Sequence, residues 1–324
     1  MSTVSPAQES APQEATSRVA QLAPERRRAE SMSRIVLRRF FKHRMAVFGV
    51  GLLLAIVAYV TIGSLFFTEE YANKTSIRNR LQPPSAEFPF GTDEAGRDVL
   101  ARTIFGGQIS LAIGVLSVTI SITVGTLVGL ASGYFGGLVD AILMRLVEAM
   151  LSIPVLILLL LLSRVLTDAS ASTVVILGRT LSVTVVVIVL IIGFTGWMGL
   201  SRIVRSLVLS LKEQEFVVAA RSIGAGDRSI IFQHILPNCI APIVVSATLG
   251  IGAAIVVETA LSFLGFGVLP PTATWGNILN RARLSITELW WLWMAPGALI
   301  MATVLAINFI GDGLRDAFDP LSIK

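Results

Sequence analysis

The chain has 324 residues, of which 54% are hydrophobic and only 15% charged, with a formal net charge of +5. A soluble domain carries about a quarter charged residues, so this composition excludes an ordinary soluble protein and points to membrane-spanning segments. Its basic residues gather before the first apolar run and between later runs, as membrane topology and not nucleic-acid binding would place them; one cysteine, Cys239, excludes an intrachain disulfide, and the separated His43 and His234 have no metal-ligand spacing.

Residues 1–44 read as a basic cytoplasmic tail, partly disordered and rich in Ser, Ala, Gln, Glu and Arg. No apolar core closely follows the start, which argues against a signal peptide. Arg26, Arg27, Arg28, Arg34, Arg38, Arg39, Lys42 and Arg44 precede the first apolar run and keep the N-terminus inside. A span needs about 20 apolar residues. Residues 45–68 supply the first, with its uncharged stretch from Ala46 to Phe67. Residues 69–102 mix both signs of charge with Pro83 and Pro84 and read as an external loop.

Residues 103–320 form the remaining core, with five spans. Thr103 to Val139 is uncharged and too long for one straight span, so a short interfacial helix is expected before a second span from Leu111 to Tyr134. Gly133-Tyr-Phe-Gly-Gly137 signals a turn. The third span is placed from Ile142 to Val165, with Arg145 and Glu148 near the cytoplasmic interface, and the fourth from Leu181 to Leu200. The fifth runs from Cys239 to Leu261 and the sixth from Leu289 to Ile310, separated by a polar loop with Pro270, Pro271 and Trp275. Six spans leave both termini in the cytoplasm. Trp290, Trp291 and Trp293 then fall at the outer interface, where amphipathic rings are favoured. The fold is all-α and polytopic.

The cytoplasmic stretch 201–238 carries the strongest functional signal. Phe216, Val217, Ala219, Ala220 and Ile223 recur at helical spacing, and Gly224 suits a helix end. Asp227 suits the N-cap of a second short helix, and Pro237 restricts the chain where the next span begins. Two short helices with a sharp turn suit docking into a groove of a partner, with Ala219 and Ala220 as a small surface for close approach. The alternative is a loop packed under the protein's own helices.

Ala219-Ala220, Gly224 and Ile235-Leu236-Pro237 resemble the "EAA" loop of ABC importer permeases, although Val218 stands where the family has its Glu. Gly91-Thr92-Asp93-Glu-Ala-Gly96-Arg97-Asp98 resembles the external signature of the dipeptide/oligopeptide branch. So do Gly133 to Gly137 with Asp140, Leu151 to Pro154, Glu258 to Gly265, Trp275-Gly-Asn277 and Gly311 to Asp316. The order and coverage, from about residue 35 to 320, are similar to the second permease subunit of that branch, which also serves nickel.

The resemblance implies a type I ABC importer permease fold in a bacterial inner membrane. It implies a homologous second permease, two ATP-binding subunits holding ATP and Mg2+, an external substrate-binding protein and a di- or oligopeptide cargo. It also implies that Glu215, Ala219, Ala220, Arg221, Gly224, Asp227 and Pro237 form the loop coupled to the ATPase. No phosphate-binding loop and no nucleophile–base pairing is present, so catalysis and bound cofactors are not expected of this chain. Asp93, Arg97, Asp98, Glu258 and Trp275 are external or translocation candidates. For Asp93, Arg97 and Asp98 the alternative is capping and folding of the interfacial helix, with Asp98 paired to Arg102. Glu258 either lines the passage, pairs with the second permease, or sits wet at the outer end of its span. Nickel or glutathione cargo, or a secondary transporter acting alone, remain open at this point.

Overall fold

The computed structural model describes residues 32–168, 173–176, 179–282 and 287–319. Of the tail expected over residues 1–44, residues 1–31 lie outside the described residues, and the remainder is helical except at His43. A basic helix, α1 (Met32–Lys42), comes first. His43 breaks it from α2 (Arg44–Phe66) and caps the new helix, its Nδ1 accepting from the Ala46 amide at 3.1 Å. After a short α3 (Glu69–Asn73), the chain enters α4 (Val99–Phe135). Next come α5 (Gly137–Leu151), α6 (Val155–Asp168) and a two-stranded antiparallel hairpin, β1 (Thr173–Ile176) with β2 (Arg179–Ser182). α7 (Val183–Leu211), α8 (Glu215–Ser222), α9 (Asp227–Phe263), α10 (Trp275–Arg281) and α11 (Trp290–Phe318) complete the bundle.

Five helices are long and apolar enough to cross a membrane: α2, α4, α7, α9 and α11. The pair α5 and α6 passes the same test only when its two halves are taken together, and it is bent by 87°, as a broken span or a re-entrant loop is. The third span was expected here, from Ile142 to Val165, with no break named. Pro154 has no amide hydrogen and disfavours helical geometry at Ile153, so the helix stops at Leu151 and restarts at Val155.

The separate interfacial helix expected before the second span does not form. α4 is continuous over 37 residues, about 55 Å at 1.5 Å per residue, against about 30 Å of hydrocarbon. Gly106 and Gly107 serve close packing here and do not interrupt the helix. A Cβ on Gly106 would meet the Thr274 backbone at 3.1 Å, and one on Gly107 would meet the Trp275 ring at 2.6 Å. α7 likewise runs eleven residues past the expected Leu200, taking Arg202 and Arg205 with it onto the helix. α11 also continues past Ile310, to Phe318.

α4 and α7 form the tightest pair. Gly125, Gly129 and Gly133 recur every fourth residue and let the α7 backbone approach, as small residues do between membrane helices. A Cβ on Gly129 would stand 2.7 Å from the Ser201 carbonyl oxygen and 2.6 Å from Val204 Cβ. Backbone on one side leaves little room to yield. Gly129→Leu is therefore expected to destabilise the fold by about 1–3 kcal/mol. Thermal unfolding in detergent measures this directly, because the buried Cys239 is the sole thiol and becomes reactive only when the bundle opens.

Candidate functional site

At the cytoplasmic end α7 stops at Leu211 and the chain turns into α8. Val217 and Ala220, three residues apart, face inward. Val217 joins a cluster with Leu130, Val204, Val208, Ile230 and Ile235, so α8 is seated on α4, α7 and α9. Phe216, Ala219 and Ile223 face outward, and Ile223 is 87% exposed. The expected small surface is thus split, since Ala219 is outside and Ala220 is packed inside. Val218, at the position of the family's Glu, is half-exposed. Glu215 opens α8 and Arg221 lies in its last turn, both exposed.

Gly224 ends α8 as expected, with φ +87. The Ala225 amide donates to the Ala220 carbonyl at 3.0 Å, and the Gly224 amide donates to the Arg221 carbonyl at 3.0 Å, which together make a Schellman turn. The second helix of the loop is not short. It begins at Asp227 and continues into the fifth span as α9. A π-turn over Ile230–Ile235 precedes Pro237, where the missing amide hydrogen would otherwise break the regular ladder. Asp227 is not the N-cap; Gly226 is. The Asp227 carboxylate instead accepts a 2.6 Å hydrogen bond from the Tyr134 hydroxyl, at the end of α4.

Beside it, Arg205 of α7 grips Asp140 of α5 with two hydrogen bonds, Nε to Oδ1 at 2.5 Å and Nη2 to Oδ2 at 2.6 Å. Ser132 of α4 also donates to Asp140. The ends of α4, α5 and α7 are thus tied together next to α8. Tyr134, Asp140, Ser132 and Arg205 were not assigned to the site from sequence. A signal for two of them was present, because Tyr134 and Asp140 lie in the Gly133–Gly137 turn and its flank.

At the other end, Asp98 caps α4, accepting from the Leu100 amide at 2.8 Å and the Ala101 amide at 3.4 Å. Arg97 donates to Asp93 from Nε at 2.8 Å, within a buried ion pair. Arg102 does not pair with Asp98 as the spacing suggested. It lies 3.8 Å from Asp93 and donates to Asn73 at 2.9 Å. Burial pushes the Asp93 carboxyl up, but the hydrogen bonds and charge of Arg97, joined by Arg102, hold it below the usual carboxylate range. For Asp98, burial outweighs the Ala101 and Leu100 amides and the Tyr71 hydroxyl and pushes the carboxyl up. Asp93, Arg97 and Asp98 are all buried.

Glu258 is 0% exposed, neither wet nor open to a partner. Its carboxylate accepts from Ser262 at 2.7 Å and from Ser110 at 3.2 Å. The Ser110 oxygen accepts in turn from the Trp275 amide at 3.2 Å, while Trp275 Nε1 donates to the Thr103 carbonyl at 2.8 Å. Glu258 and Trp275 therefore lock α9, α10 and α4 together.

A cavity of about 350 Å³ does open between α4, α6, α7 and α9. Ser117, Ser121, Thr195 and Ser246 are among its lining residues, with the Ser117 and Thr195 hydroxyls donating to the Val189 and Ile191 carbonyls, and Gly196 and Gly250 leave it room. Hydroxyls on an otherwise apolar wall can replace water around a polar solute without fixing a charge.

Residues 125–324 match the family described as binding-protein-dependent transport system inner membrane component. Residues 31–84 match the N-terminal TM domain of oligopeptide transport permease C. A putative peptide permease protein of Brucella suis biovar 1 is 44% identical over 284 residues, covering 87% of this chain and 89% of its own. A dipeptide transport system permease protein of Alkalihalophilus pseudofirmus is 39% identical over 293 residues, 90% and 91% of the two chains. A putative peptide transport system permease protein of Brucella abortus biovar 1 is 40% identical over 286 residues, 88% and 91% of the two.

Proposed function

The chain belongs to the family of binding-protein-dependent transport system inner membrane components, and from this we propose that it is the second permease subunit of an ABC importer that carries di- or oligopeptides into a bacterial cell. It is a multi-pass membrane protein and a transport permease, not an enzyme. Peptide cargo is supported by the relatives, whose names say peptide and dipeptide, and no observation favours nickel or glutathione. The cavity hydroxyls suit a peptide, whose backbone amides need partners when they leave water.

The observation that carries the reading is α8. It displays an apolar ridge to the outside while its inner face is keyed to three spanning helices. In this proposal α8 lies in the cytoplasm and seats in a groove of one of two ATP-binding subunits. Those subunits hold ATP and Mg2+, while a homologous permease completes the passage. An external substrate-binding protein delivers the cargo, and both termini are cytoplasmic. Closure of the ATPase pair pushes on α8. The push passes through Val217 and the Tyr134–Asp227 contact to α4, α7 and α9, whose rearrangement switches the access of the cavity. Coupling of this kind is reciprocal, so delivery of cargo raises ATP turnover.

Gly224→Val tests the loop. The position needs a left-handed backbone that a β-branched residue resists by about 1–2 kcal/mol, and the space around it is open, so the bundle itself is undisturbed. Uptake of peptide by the reconstituted complete transporter is expected to fall roughly tenfold, with Cys239 protection unchanged. Normal uptake coupled to ATP turnover in that variant would remove α8 from the mechanism.

A further inference from the structure

The cavity between α4, α6, α7 and α9 has a wall without charge, since no ionisable side chain is among its lining residues. Such a wall cannot hold a cargo by an ion pair. It discriminates by hydrogen bonding and by volume. Of its four hydroxyls, those of Ser117 and Thr195 are engaged by carbonyls of α7. Ser121 of α4 and Ser246 of α9 have no protein partner among the described residues, so both are free to bond a polar solute.

Volume is set by what the helices leave out. α7 presents Ile192, Thr195, Gly196, Gly199 and Ile203 to the cavity, one face at three- and four-residue spacing. The three lining glycines differ in what surrounds them. A Cβ on Gly196 would stand 2.9 Å from Ser121 Oγ, and one on Gly250 would lie 3.4 Å from Val118, so both serve packing against α4. A Cβ on Gly199 would meet no atom within 4 Å. Its backbone is ordinary helix within α7 and needs no glycine, which is among the poorest helix formers. Neither packing nor backbone geometry in this chain explains the residue. What remains is the space beside it. From another side α6 restarts at Val155, directly beyond the bend, and brings Val155 and Leu159 to the same cavity.

We propose that Gly199 sets the largest peptide side chain that this passage admits. The peptide backbone bonds to Ser121 and Ser246, and its side chain takes the room left at Gly199, with Val155 and Leu159 as apolar neighbours. At about 350 Å³ the cavity lies at the small end of those that enclose ligands, about 300–1,000 Å³, and short peptides are the class it fits. The inference rests on the peptide reading above and names the residue that limits it.

The test uses the complete transporter in liposomes, supplied with ATP and its binding protein and offered glycylglycine and diphenylalanine together. The ratio of the two uptakes is read. The delivery protein is the same in every sample, so its own preference cancels. Gly199→Ala, Gly199→Leu and Gly199→Phe should lower the share of diphenylalanine progressively, by about tenfold at leucine, as a misfit of one methylene or more does in an apolar pocket. Gly199→Cys gives a readout besides uptake. Its thiol should react with a charged methanethiosulfonate during turnover, and diphenylalanine should slow that reaction. The parent is the blank, because its sole thiol, Cys239, is buried. A Gly199→Cys thiol that stays unreactive would place the position against lipid or the second permease and overturn the proposal. Equal loss of both peptides along the series would do the same. An active parent whose uptake ratio is unchanged by Gly199→Phe would overturn this inference alone. A parent that takes up neither peptide would overturn the peptide reading itself, and this inference with it.

Discussion

Replacing Phe216 and Ile223 together by aspartate is expected to abolish retention of the ATP-binding subunit while the permease still inserts and folds. Both side chains face outward from α8, at 42% and 87% exposure, and neither belongs to the cluster that seats the helix. Removing them leaves Val217, Ile230 and Ile235 packed as before. An apolar anchor buried in a protein groove is worth about 2 kcal/mol or more, or roughly thirtyfold in affinity, and a carboxylate in its place adds a desolvation penalty. Two such losses, even if not additive, lower association by at least about a hundredfold. Affinity purification of the variant, with the ATPase quantified beside the second permease, reads the effect. A complex recovered intact would show that the ridge faces lipid or water. Loss of the second permease as well, with Cys239 newly reactive, would show that the substitutions unfold the loop and do not merely detach a partner.

Much of this site was legible in the sequence because backbone chemistry marks it. Gly224 is where only a residue without a side chain takes φ +87 cheaply, and the helical spacing of residues 216 to 223 shows α8 before its neighbours are known. Which alanine faces out was not legible, because Ala219 and Ala220 differ only in what they pack against. The extent of the helices was hidden for a related reason. Counting apolar residues gives the hydrocarbon crossing, yet α4, α7, α9 and α11 all run past it, and polar side chains meet at some of those ends, as Tyr134 meets Asp227 and Arg205 meets Asp140. Arg205 looks like a loop cation until Asp140, 65 residues earlier, is seen to receive it. Pro154 and Pro237 show the limit of local rules. The first bends the chain by 87°, whereas the second is absorbed by a π-turn. The difference lies in the neighbouring turns, and the proline itself does not announce it.

Glu258→Leu is expected to be among the most damaging single substitutions in the bundle, although leucine suits a membrane helix better than glutamate does. The carboxylate is wholly enclosed and is the acceptor for Ser262 and Ser110, with the Thr274 hydroxyl also directed to it. Leucine would leave those donors without a partner in a site that water does not reach, at about 1–3 kcal/mol for each group stranded. The loss spreads, because Ser110 also accepts from the Trp275 amide and so holds α10 between α4 and α9. A total of about 2–5 kcal/mol follows, enough to unfold much of a marginally stable population. Glu258→Gln retains a carbonyl acceptor of similar shape and should cost only about 1 kcal/mol. The comparison separates two roles. If the group only supports the fold, the glutamine variant protects Cys239 nearly as the parent does and transports at a similar rate, while the leucine variant fails both tests. If glutamine folds normally but no longer transports, the acidic group takes part in the working cycle. The closed pocket around Glu258 would then have to open as the cavity changes its access.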